Sequence, residues 1–298
     1  VHVPEDSGGK RLIHPPSLSS GHHSRRCVRA RPRPKPAHEY RRLLWKNHRA
    51  GGIGQKVEVA VTGLGRRVLV AAFDGWNDAG EAATSALSTV REAGNYRNVH
   101  SVDPELYFDY QYTRPHIAMS TEGRRELTWP EATILSPVTR TRGTRLHLLT
   151  GVEPARAWQS FAAELIDVAL REDISGFVAL GSMMADVPHT RPISIFAGSD
   201  NEAIRTELDV ERSLYEGPVG ILTVLADAAE KVGIPTIGLW ASVPHYVAGH
   251  TPSPKATLAL LDRLQELTGA KIERGDLAEQ SKTWQATIDA AAAEDDEM

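Results

Sequence analysis

Two stretches of this chain follow an apolar run with the same three residues. Ala185–Pro192 reads ADVPHTRP, and Ala241–Pro252 reads ASVPHYVAGHTP. The chemistry they offer is that of imidazole, which titrates near neutral pH and moves protons when a carboxylate stands beside it. Carboxylates are at hand in Asp74 and Asp78 of FDGWNDAG (73–80), and in Asp186, three residues before His189. Arg191 adds a group suited to a phosphate or carboxylate, Ser182 a hydroxyl, and Trp76 a ring for stacking. The candidate pocket is therefore Asp74, Trp76, Asp78, Ser182, Asp186, His189, Arg191 and His245. No reaction is specified, because the chain has no Gly-x-Ser-x-Gly elbow, no Walker loop and no Gly-x-Gly-x-x-Gly turn. His189, His245 and His250 suggest a metal, but His245 and His250 stand at i, i+5 and no cysteine assists, so neither metal nor cofactor is expected.

Each of these residues also has a plainer reading. Proline can simply end each strand while its histidine makes a local hydrogen bond. Asp78 can cap a helix, and Trp76 can pack against its neighbours with its N–H bonded. Met183 and Met184 can fill the core.

The elements that must position these groups alternate between strand and helix. RRVLVAAF (66–73) is a short buried strand. NDAGEAATSALSTVREAG reads as a helix with Asp78 at its N-cap, Glu81 three residues on and Gly94 at its end. Residues 98–150 are mainly extended, with apolar segments near Val99–Val102, Ala132–Val138 and Leu146–Thr150. PARAWQSFAAELIDVALRED sets Trp158, Phe161, Ala162, Leu165, Val168 and Ala169 on one helical face. GFVALGSMM is an unbroken apolar strand, as in a sheet covered on both sides, and ISIFAG (193–198) is a further strand. VGILTVLADAAEKVG is a helix that stops at Gly233, and IPTIGLWAS is a strand. SPKATLALLDRLQELTG has Ser253 to cap, Pro254 at the first helical position and Gly269 past the end.

This order predicts an α/β protein with a single open, mainly parallel sheet flanked by helices and joined by right-handed crossovers. Each Val-Pro-His then lies in a loop leaving the carboxyl end of a strand, where such sheets bind ligands. The expectation is that His189 and His245 face one cleft and that Asp74 or Asp78 reaches it.

Charge divides the chain. Residues 1–50 hold twelve Lys/Arg against three Asp/Glu, or +9, and the other 248 hold 22 against 35, or −13, which sums to the net −4. The proline-alternating RARPRPKP stretch suits neither helix nor central strand. A basic disordered tail is expected over 1–55, an α/β domain over 56–272, and a C-terminal helix with an acidic end over 273–298. The tail lacks interleaved aromatics before Tyr40, so nucleic acid is not the expected partner. With no methionine before Met119, whether residues 1–55 belong to the native chain is left open. Cys27 is the lone cysteine and excludes an internal disulfide. Val57–Phe73 is too short and too charged to span a bilayer, and a cytoplasmic protein is expected.

Four ordered blocks carry a resemblance: FDGWNDAG (73–80), GSMMADVPHTRP (181–192), YEGPVGILTVL (215–225) and GLWASVPHYVAGHTPSPKATLALLDRLQELTG (238–269). They are similar to the proteasome assembly chaperone two family, in its actinobacterial branch, over about residues 57–270. The resemblance implies one α/β domain related in fold to the purine nucleoside phosphorylases, and help in assembling proteasome core particles. It makes a protein partner, proteasome subunits among the candidates, the leading expectation, with the chain acting as a homo-oligomer and not as an enzyme. The alternative is a small-molecule enzyme, nucleoside phosphorylase-like or a hydrolase, working in the strand-end pocket. Factors that dock on proteasome rings often end in a hydrophobic residue, a tyrosine and one more residue. Here the sequence ends AEDDEM, so docking is expected through a surface. A stripe of Leu277, Trp284 and Ile288 near the C-terminus is expected to dock on its own domain, with an oligomer interface as the alternative.

Overall fold

The computed structural model describes residues 63–139, 142–247 and 251–295, all within one unit, Glu58–Met298. The basic segment expected over 1–55 lies outside the described residues, as does His250.

Unbroken apolar runs make the centre of the sheet. Strand β1 (Arg67–Asp74) buries six consecutive residues from Val68 to Phe73, which only a strand covered on both faces can do. Its neighbours are β6 (Arg145–Val152) and β7 (Gly176–Ala185), both parallel to it, and β9 (Thr236–Pro244) runs parallel beyond β7. Strands β2 (Tyr96–Ser101), β5 (Ala132–Pro137) and β8 (Ile195–Gly198) pair antiparallel at the flanks, giving the order β2-β5-β6-β1-β7-β9-β8. The sheet is thus open and mixed, with a parallel centre of four strands. A ribbon of β3 (His116–Met119) and β4 (Arg125–Thr128) stands apart from it.

Helices cover both faces. On one lie α1 (Ala82–Ala93), α6 (Pro254–Thr268) and α7 (Leu277–Asp295). On the other lie α3 (Trp158–Arg171) and α5 (Ile221–Lys231). Alternation along β1 sends Val68, Val70 and Ala72 into the first core and Leu69, Ala71 and Phe73 into the second. Leu277, Trp284 and Ile288 of α7 are buried in the first core, against the chain's own domain.

Two short helices, α2 (Pro104–Tyr107) and α4 (Glu202–Leu208), were not legible as periodic segments; both rest on local caps, from Asp103 and Asn201 respectively. Ser253 does not cap α6 as expected: its hydroxyl is buried without a partner, and the N–H groups of Ala256 and Thr257 take the Ser253 carbonyl instead. Strands β7 and β9 run on to Ala185 and Pro244, paired residue by residue from Phe177–Thr236 onward. They carry their loops beyond the rest of the sheet. Gly181 leaves room for its cross-strand neighbour, because the indole of Trp240 lies across the spot a Cβ would occupy.

Candidate functional site

Because β1, β6, β7 and β9 are parallel, the loops leaving their carboxyl ends share one rim. At the end of β1, Gly75 takes φ +121°, a conformation that glycine adopts freely. The chain then runs beside β7, where the Ser182 N–H donates to the Asn77 carbonyl at 2.8 Å. Asp78 turns its carboxylate into the first turn of α1. One oxygen accepts from the Ala83 N–H at 2.7 Å and the Thr84 N–H at 3.3 Å, and the other accepts from the Thr84 hydroxyl. Ser182 donates to the Ala79 carbonyl at 2.8 Å and stands 3.5 Å from Asp78. Burial pushes the Asp78 carboxyl above its ordinary range, the Thr84 and Ala83 bonds oppose this, and nearby Asp74 adds to it.

This geometry makes Asp78 a clamp between β1 and α1. Asp78→Ala is expected to lower stability by ~1–2 kcal/mol, as loss of a helix cap does. Asp78→Asn, which keeps an acceptor for the two N–H groups, should lose less than half as much. Urea titration of the three proteins measures it.

The histidines lie further along the rim and face a different partner. Tyr246, directly after the second Val-Pro-His, sits between them with ring centroids 5.7 Å from His189 and 5.5 Å from His245. Its hydroxyl accepts the His189 backbone N–H at 2.7 Å and lies 2.8 Å from Nδ1 of the same residue. The Nε2 of His189 is 2.8 Å from Asp289 on α7. These contacts are all satisfied when Nε2–H donates to Asp289 and Nδ1 accepts from Tyr246. Lys255 ties the same place down, donating to the His189 carbonyl at 2.6 Å and to Gln285 of α7 at 2.8 Å. His245 is exposed, with Nδ1 3.4 Å from the Ala185 carbonyl. The two loops therefore meet, through Tyr246.

The structure divides the expected pocket into two groups. Asp74, Asp78 and Ser182 stand together, and His189 and His245 stand together; among the described residues no hydrogen bond or ring contact joins the first group to the second. Asp186 and Arg191 are exposed. No group of three or more His, Cys, Asp or Glu among the described residues can hold a metal ion. Two hollows of about 590 and 420 Å³ lie instead among α1, α6 and α7, lined by residues such as Thr89, Pro254, Gln280 and Trp284.

Two plainer readings are corrected. Met183 and Met184 do not fill the core: β7 runs past its β1 partner, leaving them 43% and 46% exposed. Trp76 is 64% exposed and has no hydrogen bond among the described residues. Val219 and Tyr215, in the segment before α5, are exposed as well.

Sequence reasoning missed Asn77, whose carboxamide packs against Gly220, Glu153, whose Oε1 accepts the Ile221 N–H at 2.7 Å, Tyr246 and Asp289. Glu153 follows the end of β6 as Asp74 ends β1, so a polar residue at a strand end was the available signal. Asp289 had none, because only the fold brings α7 to His189.

The PAC2 family model matches residues 72–292. The chain belongs to the PAC2 family. A PAC2 family protein from Streptomyces avermitilis is 38% identical, with TM-score 0.71, over 75% of this chain and 95% of that one. A proteasome-assembly chaperone homologue from Mycobacterium tuberculosis is 37% identical, with TM-score 0.68, over 75% and 94%. At 14% identity, an archaeal proteasome activator from Pyrococcus furiosus shares the fold with TM-score 0.60 over 78% and 95%. No curated protein matches the chain. Among the described residues of this PAC2 protein no helix is long and apolar enough to cross a membrane.

Proposed function

We propose that the chain is a protein-binding module with a proteasome-assembly-chaperone-like role, and that its partners are proteasome subunits. The observation that carries this reading is the 37% identity to the Mycobacterium tuberculosis proteasome-assembly chaperone homologue across three quarters of the chain. The large apolar side chains left exposed at the strand ends, Trp76, Met183 and Met184, support it, since apolar surface left open to solvent marks interaction sites. Flexible methionines suit a surface that must fit a large partner. The proposal includes a homo-oligomer in the cytoplasm. In support, all eight residues of the β3–β4 ribbon are exposed, and Ile117 pairs with Leu127 beside Met119 on one of its faces. A lone two-stranded ribbon is marginal in water until something packs on it.

The test is capture of proteasome α and β subunits on the immobilised full chain, from native cell extract and from purified subunits. Trp76→Asp with Met183→Asp should cut capture at least about tenfold, equivalent to ~1.4 kcal/mol. Leu170→Ser, on the exposed side of α3, should leave it unchanged. A metabolite that raises the melting temperature, and loses this effect in both His189→Ala and His245→Ala with no subunit captured, would establish the small-molecule reading instead.

A further inference from the structure

Three arginines meet at the end of the sheet opposite the Val-Pro-His loops, where β1 and β6 begin. Register puts them there. Arg67 and Arg145 are partners across β1 and β6, and two residues further on Leu69 is partnered by His147. Leu69 belongs to the second core, so alternation turns all four side chains to the face that α3 covers. Arg97 of β2 is the partner of Ser136 on β5, and the Ser136 hydroxyl lies 2.8 Å from His147 Nδ1. Glu172, just after α3, reaches the same place. Its Oε2 accepts the Ser136 hydroxyl at 2.9 Å and lies 3.8 Å from Arg67 and 3.7 Å from Arg97.

Those two separations are too long for hydrogen bonds. Among the described residues none of the three guanidinium groups donates one, although each carries five N–H donors. Arg67 Nε is shut away from solvent without a partner, and so is His147 Nε2. A buried donor left unpaired is costly to maintain, and this one belongs to a cation. The charges are also out of balance. Burial pushes the His147 pKa down to about 4, with Arg67, Arg145 and Arg97 acting in the same direction and Glu172 alone opposing, so the imidazole is neutral at pH 7. Three guanidinium charges therefore face one carboxylate, an excess of two positive charges. As a device for stability the cluster is poor, since loose pairs with an arginine as exposed as Arg97 contribute little.

We infer that this cluster is a binding site for a phosphate group, held by the guanidinium groups of Arg67, Arg97 and Arg145. The site is separate from the apolar side chains of the protein-binding reading, which lie at the other ends of the strands. Guanidinium forks match the oxygens of phosphate and carboxylate alike. Charge selects between them. A phosphate monoester carries about −1.5 to −2 at pH 7, which answers the excess of two, whereas a carboxylate supplies half of it. Phosphate oxygens also give the stranded Arg67 Nε–H an acceptor. Glu172 is then the competitor, neutralising part of the cluster while the site is free and repelling the phosphate that enters it.

The test titrates inorganic phosphate into the full chain at pH 7 and constant ionic strength, following the arginine Nε–H groups and the His147 ring by NMR. Phosphate should bind with Kd on the order of 1 mM or tighter, and acetate about tenfold more weakly. Arg67→Gln with Arg145→Gln should cut phosphate affinity by about tenfold or more, the loss expected when charge-assisted bonds are removed. Arg97→Gln, at a side chain 59% exposed, should cut it severalfold even if the double variant fails to fold. Glu172→Gln keeps an acceptor for Ser136 and removes the competing charge, so it should tighten binding severalfold. A cluster that served only to hold the fold together would give no such gain. Arg124→Gln, in the turn of the β3–β4 ribbon, should change nothing. The peptide acetyl-Gly-phosphoserine-Gly-amide separates the sources: binding at least as tight as that of inorganic phosphate assigns the site to a phosphorylated protein, and weaker binding assigns it to the free ion. No binding of phosphate, equal affinity for phosphate and acetate, or an affinity unchanged in Arg97→Gln and Glu172→Gln overturns the inference.

Discussion

His189→Ala is expected to lower stability by roughly 2 kcal/mol and to loosen the last turns of α7 from the domain. The alanine removes the Nε2–H bond to Asp289 and the Nδ1 acceptor of the Tyr246 hydroxyl. A charge-assisted bond contributes about 1.5–3 kcal/mol when shielded. The Asp289 side chain is 51% exposed, so solvent screens the pair and the lower part of that range applies. The Leu277, Trp284 and Ile288 anchors remain, so loosening should be local. Urea midpoints and amide hydrogen exchange over Asp289–Ala293 measure both effects. Asp289→Asn, which keeps an acceptor oxygen, should retain most of the stability. Wild-type exchange rates there in His189→Ala would mean that α7 is held by its apolar stripe alone.

Lowering the pH from about 6.5 to 4 should cost the folded state ~2 kcal/mol through His147 alone, after allowance for screening. His147 is buried on β6, with Nδ1 2.8 Å from the Ser136 hydroxyl and Nε2 unpartnered. Ser136 in turn donates to Glu172 at 2.9 Å, so Nδ1–H must donate to Ser136. Burial, with Arg67 assisting, pushes the His147 pKa down to about 4 from 6.5. Between those values the unfolded chain binds a proton that the folded chain refuses. Stability is therefore present above 6.5 and drains away as the pH falls to 4. Asp78 runs the other way: its raised folded value favours the protonated form, and its contribution is lost as pH rises from about 3.8. His147→Leu should flatten the acid limb of a stability-against-pH curve measured by urea titration, and Asp78→Asn separates the opposing contribution. An unchanged acid limb in His147→Leu would show that the carboxylates alone govern acid unfolding.

The architecture was legible because buried strands and amphipathic helices leave different spacings. RVLVAAF has no alternation and belongs at the centre of a covered sheet, where β1 lies; Trp158–Arg171 shows its buried stripe at helical intervals. Among the flanks, β5 and β8 fall where Ala132–Val138 and ISIFAG read as extended, but their antiparallel pairing was not legible, and β2 (YRNVHS) is half exposed and polar, its place depending on pairing with β5. At the rim, the twin Val-Pro-His motifs pointed to strand ends that do adjoin. Their partners were hidden, because Asp289 reaches His189 only through the packing of α7 and Asn77 meets Gly220 only through that of α5. Met183 and Met184 were misread because burial follows from how far a neighbouring strand extends, a property of another segment of the chain.

The position of β1 also bears on how the protein is made. Among the described residues it is the earliest strand, and it lies at the middle of the sheet, yet its two neighbours are Arg145–Val152 and Gly176–Ala179. During synthesis this apolar segment must wait, with both hydrogen-bonding edges bare, until the chain beyond Ala179 has emerged. Non-local parallel pairing of this kind folds slowly, and an unpaired apolar strand is a template for association with other chains. The interval between making β1 and enclosing it is when the nascent protein is most exposed to aggregation.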